Sequence, residues 1–348
     1  MVDAVNEYPG GRVFARFTGL LCLGLLLVSG CGTVVPNEST SGSSGSSSAS
    51  QSIVLGGAQL GLVWSVADST LRPIIGVPGA TQTGAPLFPA GSYVTAAFSA
   101  QTQTALLVDP KGNLQSLVLP STSPQTVVQG IPAGASIAFS PKGAYAVVFA
   151  SGGTSVLMLS GLPQAPSANS VQAGAPVVAA AISDAGTLLV AARTGNNSVS
   201  VTASPASGSR STLATLAGYG GMAFLPGSED ILLSDSVANT LARYHNGSAT
   251  VLATRANGLN QPFAVAASLD DRWAVTANRA DTNLLRIDLS GVVPPAQSTC
   301  ACSPTHLSAL LGNAVFELAA PGTAPGWMIE ADDPVARVLF IPPARTGQ

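Results

Sequence analysis

A short motif returns along this chain at nearly constant intervals. AAFSAQTQ at Ala96, IAFSPKGA at Ile137, AAISDAGT at Ala180, MAFLPGSE at Met222 and VAASLDDR at Val265 each read as an apolar strand running into a tight turn. With Ser99, Ser140, Ser183, Leu225 and Ser268 taken as equivalent, the steps are 41, 43, 42 and 43 residues. A period of that length is one supersecondary unit, too small to bury its own apolar faces, so neighbouring units must cover one another. It matches the length of a four-stranded blade in a β-propeller.

The stretch Ile137 to Pro163 shows why each unit is made of strands. Ser140-Pro141-Lys142-Gly143 is turn chemistry: proline presets φ at the second position, and glycine accepts φ above zero. Ala144 to Ala150 is a short apolar run with Tyr145, Val147, Val148 and Phe149, bounded by glycines, which suits a buried strand. Ser151 to Thr154 turns the chain, and Ser155 to Leu159 returns. Comparable hairpins start at Val63, Leu106, Val147, Leu188, Ile231, Ala274 and Trp327, which predicts seven blades. Only 9% of residues are charged while glycine and proline number 37 and 25, the balance of an all-β protein with many turns. Net charge is −3 and there is no basic run, which excludes the electrostatic footprint of nucleic-acid binding.

The first thirty residues have the pattern of a targeting segment. Arg12 and Arg16 precede an uncharged apolar stretch, Phe17 to Val28, that is short for a membrane span. It ends at Val28-Ser29-Gly30-Cys31. This resembles the lipobox of bacterial lipoproteins, which implies removal of residues 1–30, acylation of Cys31 and attachment to the membrane. Gly32 is not the acidic residue associated with inner-membrane retention in enteric bacteria, so the resemblance points to the outer membrane. A plain secretory signal is the alternative. Residues 31–52 hold a Ser/Gly-rich tether, and its last ~16 residues reach roughly 20–25 Å. The folded domain is expected over 53–345.

AVTANRADTNLLRID, from Ala274, resembles the signature of the YVTN repeat family, a branch of the bacterial seven-bladed propellers. The FSPKG-type turns resemble those of the wider WD40-like and NHL-like group. The resemblance implies a fold and leaves the function open. The last unit reads as three strands followed by IPPARTGQ, so its outermost strand is expected from Ile53-Val54-Leu55, closing the ring. The competing reading makes Ile53 to Leu55 the inner strand of the first blade.

Candidates for chemistry are few. No GxSxG, HExxH, P-loop or Rossmann glycine pattern occurs, and no cofactor is expected. The Gly218 to Gly221 run reads as a turn between blades. His245 falls in a third strand, near the rim, with no acid visible beside it. Cys300 and Cys302 lie in QSTCACSPTH, an apparent ten-residue insertion before the seventh hairpin. Two cysteines in an exported protein suggest a disulfide, with free thiols or, together with His306, a metal as alternatives. Residues 221–348 carry 18 charged side chains against 8 in 53–220. Several fall in turns between second and third strands, which in propellers share a face with the loops leading into each blade. Asn278, Arg279, Asp281 and Asn283, with Asp235, Asp332 and Asp333, form the candidate binding edge. As ordinary turn formers they would instead bond their own backbone. Glu330 beside Asp332 and Asp333 also suggests a weak calcium site. Both histidines are expected away from the channel mouth. The function expected is a membrane-anchored envelope lipoprotein whose propeller binds or scaffolds a protein or small ligand. The alternative is a lactonase-like or lyase-like enzyme acting at the channel mouth.

Overall fold

The computed structural model describes residues 58–195, 198–321, 324–332 and 334–343. They form 27 β-strands, and the one helical element among them is a 3-10 turn at Arg255–Asn257. The strands make seven antiparallel sheets in strict chain order: β1–β3 (59–83), β4–β7 (95–128), β8–β11 (135–172), β12–β15 (177–216), β16–β19 (219–253), β20–β23 (262–299) and β24–β27 (308–341). The first strand of every sheet lines one central channel. The chain is thus an all-β, seven-bladed propeller.

The second strands explain the apolar runs of the sequence. All five residues of β5 (Thr104–Val108) are buried, as are those of β17 (Ile231–Asp235) and β21 (Trp273–Asn278). Successive side chains point to opposite faces, and each face meets a different neighbour. Leu106 and Val108 pack against Ala135, Ala146 and Val148 of the third blade, whereas Ala105 and Leu107 pack against Leu62 and Leu71 of the first. Seven such clusters fill the seven interfaces between blades. They are the core.

The equivalent serines each end an inner strand and are buried at Ser99, Ser140, Ser183 and Ser268. Their hydroxyls tie the turn that follows: Ser140 and Ser268 accept the amides of Tyr145 and Trp273. At Leu225, which has no hydroxyl, the backbone alone makes the tie, from the Leu225 amide to the Asp230 carbonyl. The glycine run is corrected, however. Gly220 and Gly221 lie inside β16 (Tyr219–Phe224) and not in a turn. A Cβ on Gly220 would sit 2.7 Å from the Pro262 carbonyl oxygen, and one on Gly221 would sit 3.0 Å from the Ala264 Cα. Glycine is needed because β20 (Pro262–Ala267) approaches that closely.

Both ends of the repeat array differ from expectation. The hairpin at Trp327 is formed by β26 (Gly326–Glu330) and β27 (Arg337–Ile341), the third and fourth strands of the last blade. Its inner strand, β24 (Ser308–Ala309), is too short to register as a strand in sequence, and it leads into Leu310. Leu310 bonds Val315 as Ser268 bonds Trp273, and the step from 268 to 310 is 42 residues. There is no insertion, and the last blade has its own outer strand. The first blade is the short one. Its inner strand is β1 (Gln59–Ser65), and the step from Ser65 to Ser99 is only 34 residues because the blade has three strands among the described residues. Ile53 to Leu55 lie outside the described residues.

Closure rests on side chains and one backbone bond. Leu60, Val63 and Ile74 of the first blade pack on Leu310, Val315, Met328 and Ile341 of the last, and the Leu311 amide donates to the Leu60 carbonyl at 2.5 Å. Met328 is fully buried. Met328→Ala is expected to cost about 2–5 kcal/mol, seen as a lower urea midpoint. Val251→Ala, at an exposed site, should leave the midpoint within about 0.5 kcal/mol. Equal effects from the two would refute closure through this cluster.

Candidate functional site

The central channel encloses a cavity of about 460 Å³. Its wall takes at least one apolar side chain from each blade, namely Leu62, Phe98, Phe139, Ile182, Phe224, Val265 and Leu307. Two residues before each inner-strand anchor stands an alanine: Ala97, Ala138, Ala181, Ala223 and Ala266. These small side chains line the cavity in five consecutive blades, so the wall is thin there and the channel stays open. The lining includes residues of first-to-second-strand turns, such as Gln101, Pro141 and Leu269, and none of the second-to-third-strand turns.

Two ionisable groups stand in this apolar wall. His306 Nε2 lies 3.2 Å from Glu317 Oε2, and His306 Nδ1 lies 2.9 Å from the Thr305 hydroxyl. Glu317 is 4% exposed and sits on β25 (Val315–Ala319), opposite Ser308 of the inner strand. Its Oε1 is buried with no hydrogen-bond partner. Burial alone would push the imidazole down, but the hydrogen bond and charge of Glu317 outweigh it, and the His306 pKa rises above 6.5. The expectation that both histidines avoid the channel is therefore corrected for His306. The eight-residue loop between β23 (Ala296–Thr299) and β24 swings inward, which no sequence signal reveals.

His245 ends β18 (Thr240–His245), a third strand, and its side chain is 67% exposed. It does have an acid. Its Nδ1 lies 2.7 Å from Asp230 Oδ1, while Arg243 Nε donates to Asp230 Oδ2 at 2.8 Å. Burial would raise the Asp230 pKa, but these two partners hold it below the ordinary carboxylate value. Asp230 is fifteen residues upstream of His245, across a hairpin, so proximity in sequence did not show it. The triad is a rim tie between neighbouring strands.

In the loop before β24, Cys300 and Cys302 are joined as a disulfide, with their Cα atoms 4.9 Å apart. His306 turns instead to Glu317. Among the described residues no group of three or more His, Cys, Asp or Glu side chains is arranged to hold a metal ion.

The candidate binding edge lies on the face opposite the turns that line the channel cavity. Second-to-third-strand turns do share that face with the incoming loops: Arg279 N donates to Gln261 O, and Ser236 N to Gly218 O. Most of these side chains are spent on structure. Asp235 accepts the amides of Ala217, Val237 and Ala238. Asn278 is 1% exposed, accepting the Asn260 amide and donating to the Gly258 carbonyl. Asp281 accepts from the Asn283 amide and the Asn260 side chain. Arg279 is exposed, lies 5.5 Å over the Phe263 ring, and lines a separate cleft between the fifth and sixth blades. Glu330 accepts from Arg337 Nη2, and Asp332 is exposed. Asp333 and Cys31 lie outside the described residues. No helix among the described residues is long and apolar enough to cross a membrane.

No family model matches the chain, and no curated protein matches it. Solved structures do. A functionally unknown protein from Desulfotomaculum acetoxidans is similar at 14% identity and TM-score 0.54, with 81% of this chain and 95% of that one covered. The β-propeller domain of Myceliophteria thermophila Cps50 (Swd1) is similar at 12% identity and TM-score 0.54, covering 72% of this chain and 87% of that one. At these identities the likeness establishes the propeller fold alone.

The raised His306 pKa makes a signed prediction. A group whose folded pKa lies above its unfolded value adds stability that is complete below the unfolded pKa and is lost as pH rises through the folded one. The urea midpoint of the protein should therefore exceed that of His306→Gln below pH 6.5 and converge on it as pH rises further. A difference that stays constant across that range would refute a charged His306–Glu317 pair.

Proposed function

We propose that this chain is an envelope lipoprotein, anchored through Cys31, whose YVTN-like propeller is a binding module for a protein or small ligand. The observation that carries the reading is the channel. Its wall is apolar, is contributed by all seven blades, and holds one convergent ionic pair, His306–Glu317. Pockets of this kind, largely apolar with a few placed polar groups, suit recognition and orientation. The lipobox-like Val28 to Cys31 and the Ser/Gly-rich tether support display of the ring beside a membrane, the outer membrane by the Gly32 argument.

A second reading, a lactonase-like or lyase-like enzyme, draws on the same pair. His306 with a buried carboxylate behind it has the form of an oriented general base. Of the other polar groups in the channel wall, Ser99 and Ser140 are engaged by turn amides.

Fractionation and capture test the proposal together. The native chain should pellet with membranes and need detergent for release, whereas Cys31→Ala should remain soluble. Crosslinking from solubilised envelope should recover the same stoichiometric partner with both forms, and Ala181→Phe, which fills the channel, should abolish that recovery. A Cys31→Ala protein that still pellets would overturn the anchor. Turnover of a lactone panel that is lost in Glu317→Gln would favour the enzyme.

A further inference from the structure

A second concavity lies away from the channel, on the opposite face, where the fifth and sixth blades meet. It has a volume of about 360 Å³. Arg255 and Arg279 line it, both exposed, together with Tyr219, Gln261, Pro262 and Phe263. Arg255 belongs to the 3-10 turn leading into β20, and Arg279 follows β21. The backbone brings the two together: the Arg279 amide donates to Gln261 O, and the Gln261 amide donates to Asn239 Oδ1 at 2.6 Å.

What distinguishes the cleft is two guanidinium groups in one concave space. Among the described residues neither guanidinium has a carboxylate within ion-pairing distance, unlike Arg72, Arg243 and Arg337. The acids nearby are already committed to amides: Asp235 to three backbone N–H groups, and Asp281 to Asn260 and Asn283. Asn239 Oδ1 holds the Gln261 amide, and Asn278 Oδ1 holds the Asn260 amide. Tyr219 also lines the space, and burial raises its pKa, so it adds no negative charge there. Two cations therefore line one concave space. Guanidinium forks match oxyanions in bidentate geometry. The Phe263 ring beneath Arg279, with Pro262 and Val237, adds apolar wall for a carbon skeleton.

We infer that this cleft is a binding site for a small organic acid bearing two carboxylates, with one oxyanion on Arg255 and the other on Arg279. The site is independent of the channel reading. It is built by the blade contact that requires Gly220 and Gly221, which sets Tyr219 beside Pro262 and Phe263. Occupancy would lock the incoming loop of the sixth blade to its second-to-third-strand turn.

Equilibrium dialysis of the full chain in detergent against radiolabelled succinate tests the inference. Saturable binding is expected, weakened about tenfold or more by Arg255→Gln and by Arg279→Gln, as the loss of one charge-assisted hydrogen bond requires. Arg193→Gln, an exposed arginine on the same face in the fourth blade, should bind as the native chain does. Uncharged succinamide should not compete. Ala181→Phe, which blocks the channel, should leave succinate binding intact, so failure of the channel reading and failure of this one give different results. The inference is overturned by absence of saturable binding, by an equal loss in Arg193→Gln, by competition from succinamide, or by inorganic phosphate binding more tightly than succinate.

Discussion

Every blade of this protein has two apolar faces and can cover neither alone. That constraint organises the molecule. Alternation along a strand sends successive side chains to opposite neighbours, so an all-buried second strand such as Thr104–Val108 belongs to two interfaces at once. A linear stack would leave two uncovered faces at its ends. Joining the first blade to the last removes them, through Leu60, Val63 and Ile74 against Leu310, Val315, Met328 and Ile341. The three strands of the first blade among the described residues carry the side chains that meet the last blade.

Ring closure also makes the two concave sites. Inner strands converge on an axis, and alanine at the equivalent position in five blades leaves a lumen there. Outer connections spread apart on the opposite face, and where the fifth and sixth blades approach most closely, glycines admit the contact and a cleft opens above it. The channel is apolar with one buried carboxylate, and the cleft holds two guanidinium groups that have no carboxylate partner among the described residues. Their chemistries are opposite, so one molecule would not satisfy both.

The low charge content gives each ionic group weight. Asp230 ties Arg243 and His245 across a hairpin, and Asp184 accepts amides from Lys142 in the blade before it and Gly227 in the blade after it. Against that background, Glu317 Oε1 is buried without a hydrogen-bond partner at the channel, and Arg255 and Arg279, with no carboxylate in ion-pairing distance among the described residues, share one concave space. Unspent polar capacity at concave positions is where recognition is energetically cheapest, because the groups gain a partner without losing one.

The sequence by itself determined the all-β class, the seven-fold repetition and the positions of five inner strands, because period and turn chemistry are local properties. Ser99, Ser140, Ser183 and Ser268 mark their blades without any knowledge of the neighbours. Turn chemistry, the alternative reading of the candidate binding edge, describes Asp235 and Asp281, which accept from Val237, Ala238 and Asn283, whereas Asn278 bonds Gly258 and Asn260 of the incoming loop. The ends of the array were misjudged, because a two-residue strand at Ser308–Ala309 has no periodicity to read. Only the tertiary structure decided that His306 meets Glu317 in the channel, that His245 meets Asp230, and that Arg255 and Arg279 share a cleft. Each of these depends on how far a loop swings and how closely two blades approach. Those distances are fixed by closing the ring, a property of the whole chain that no short stretch carries.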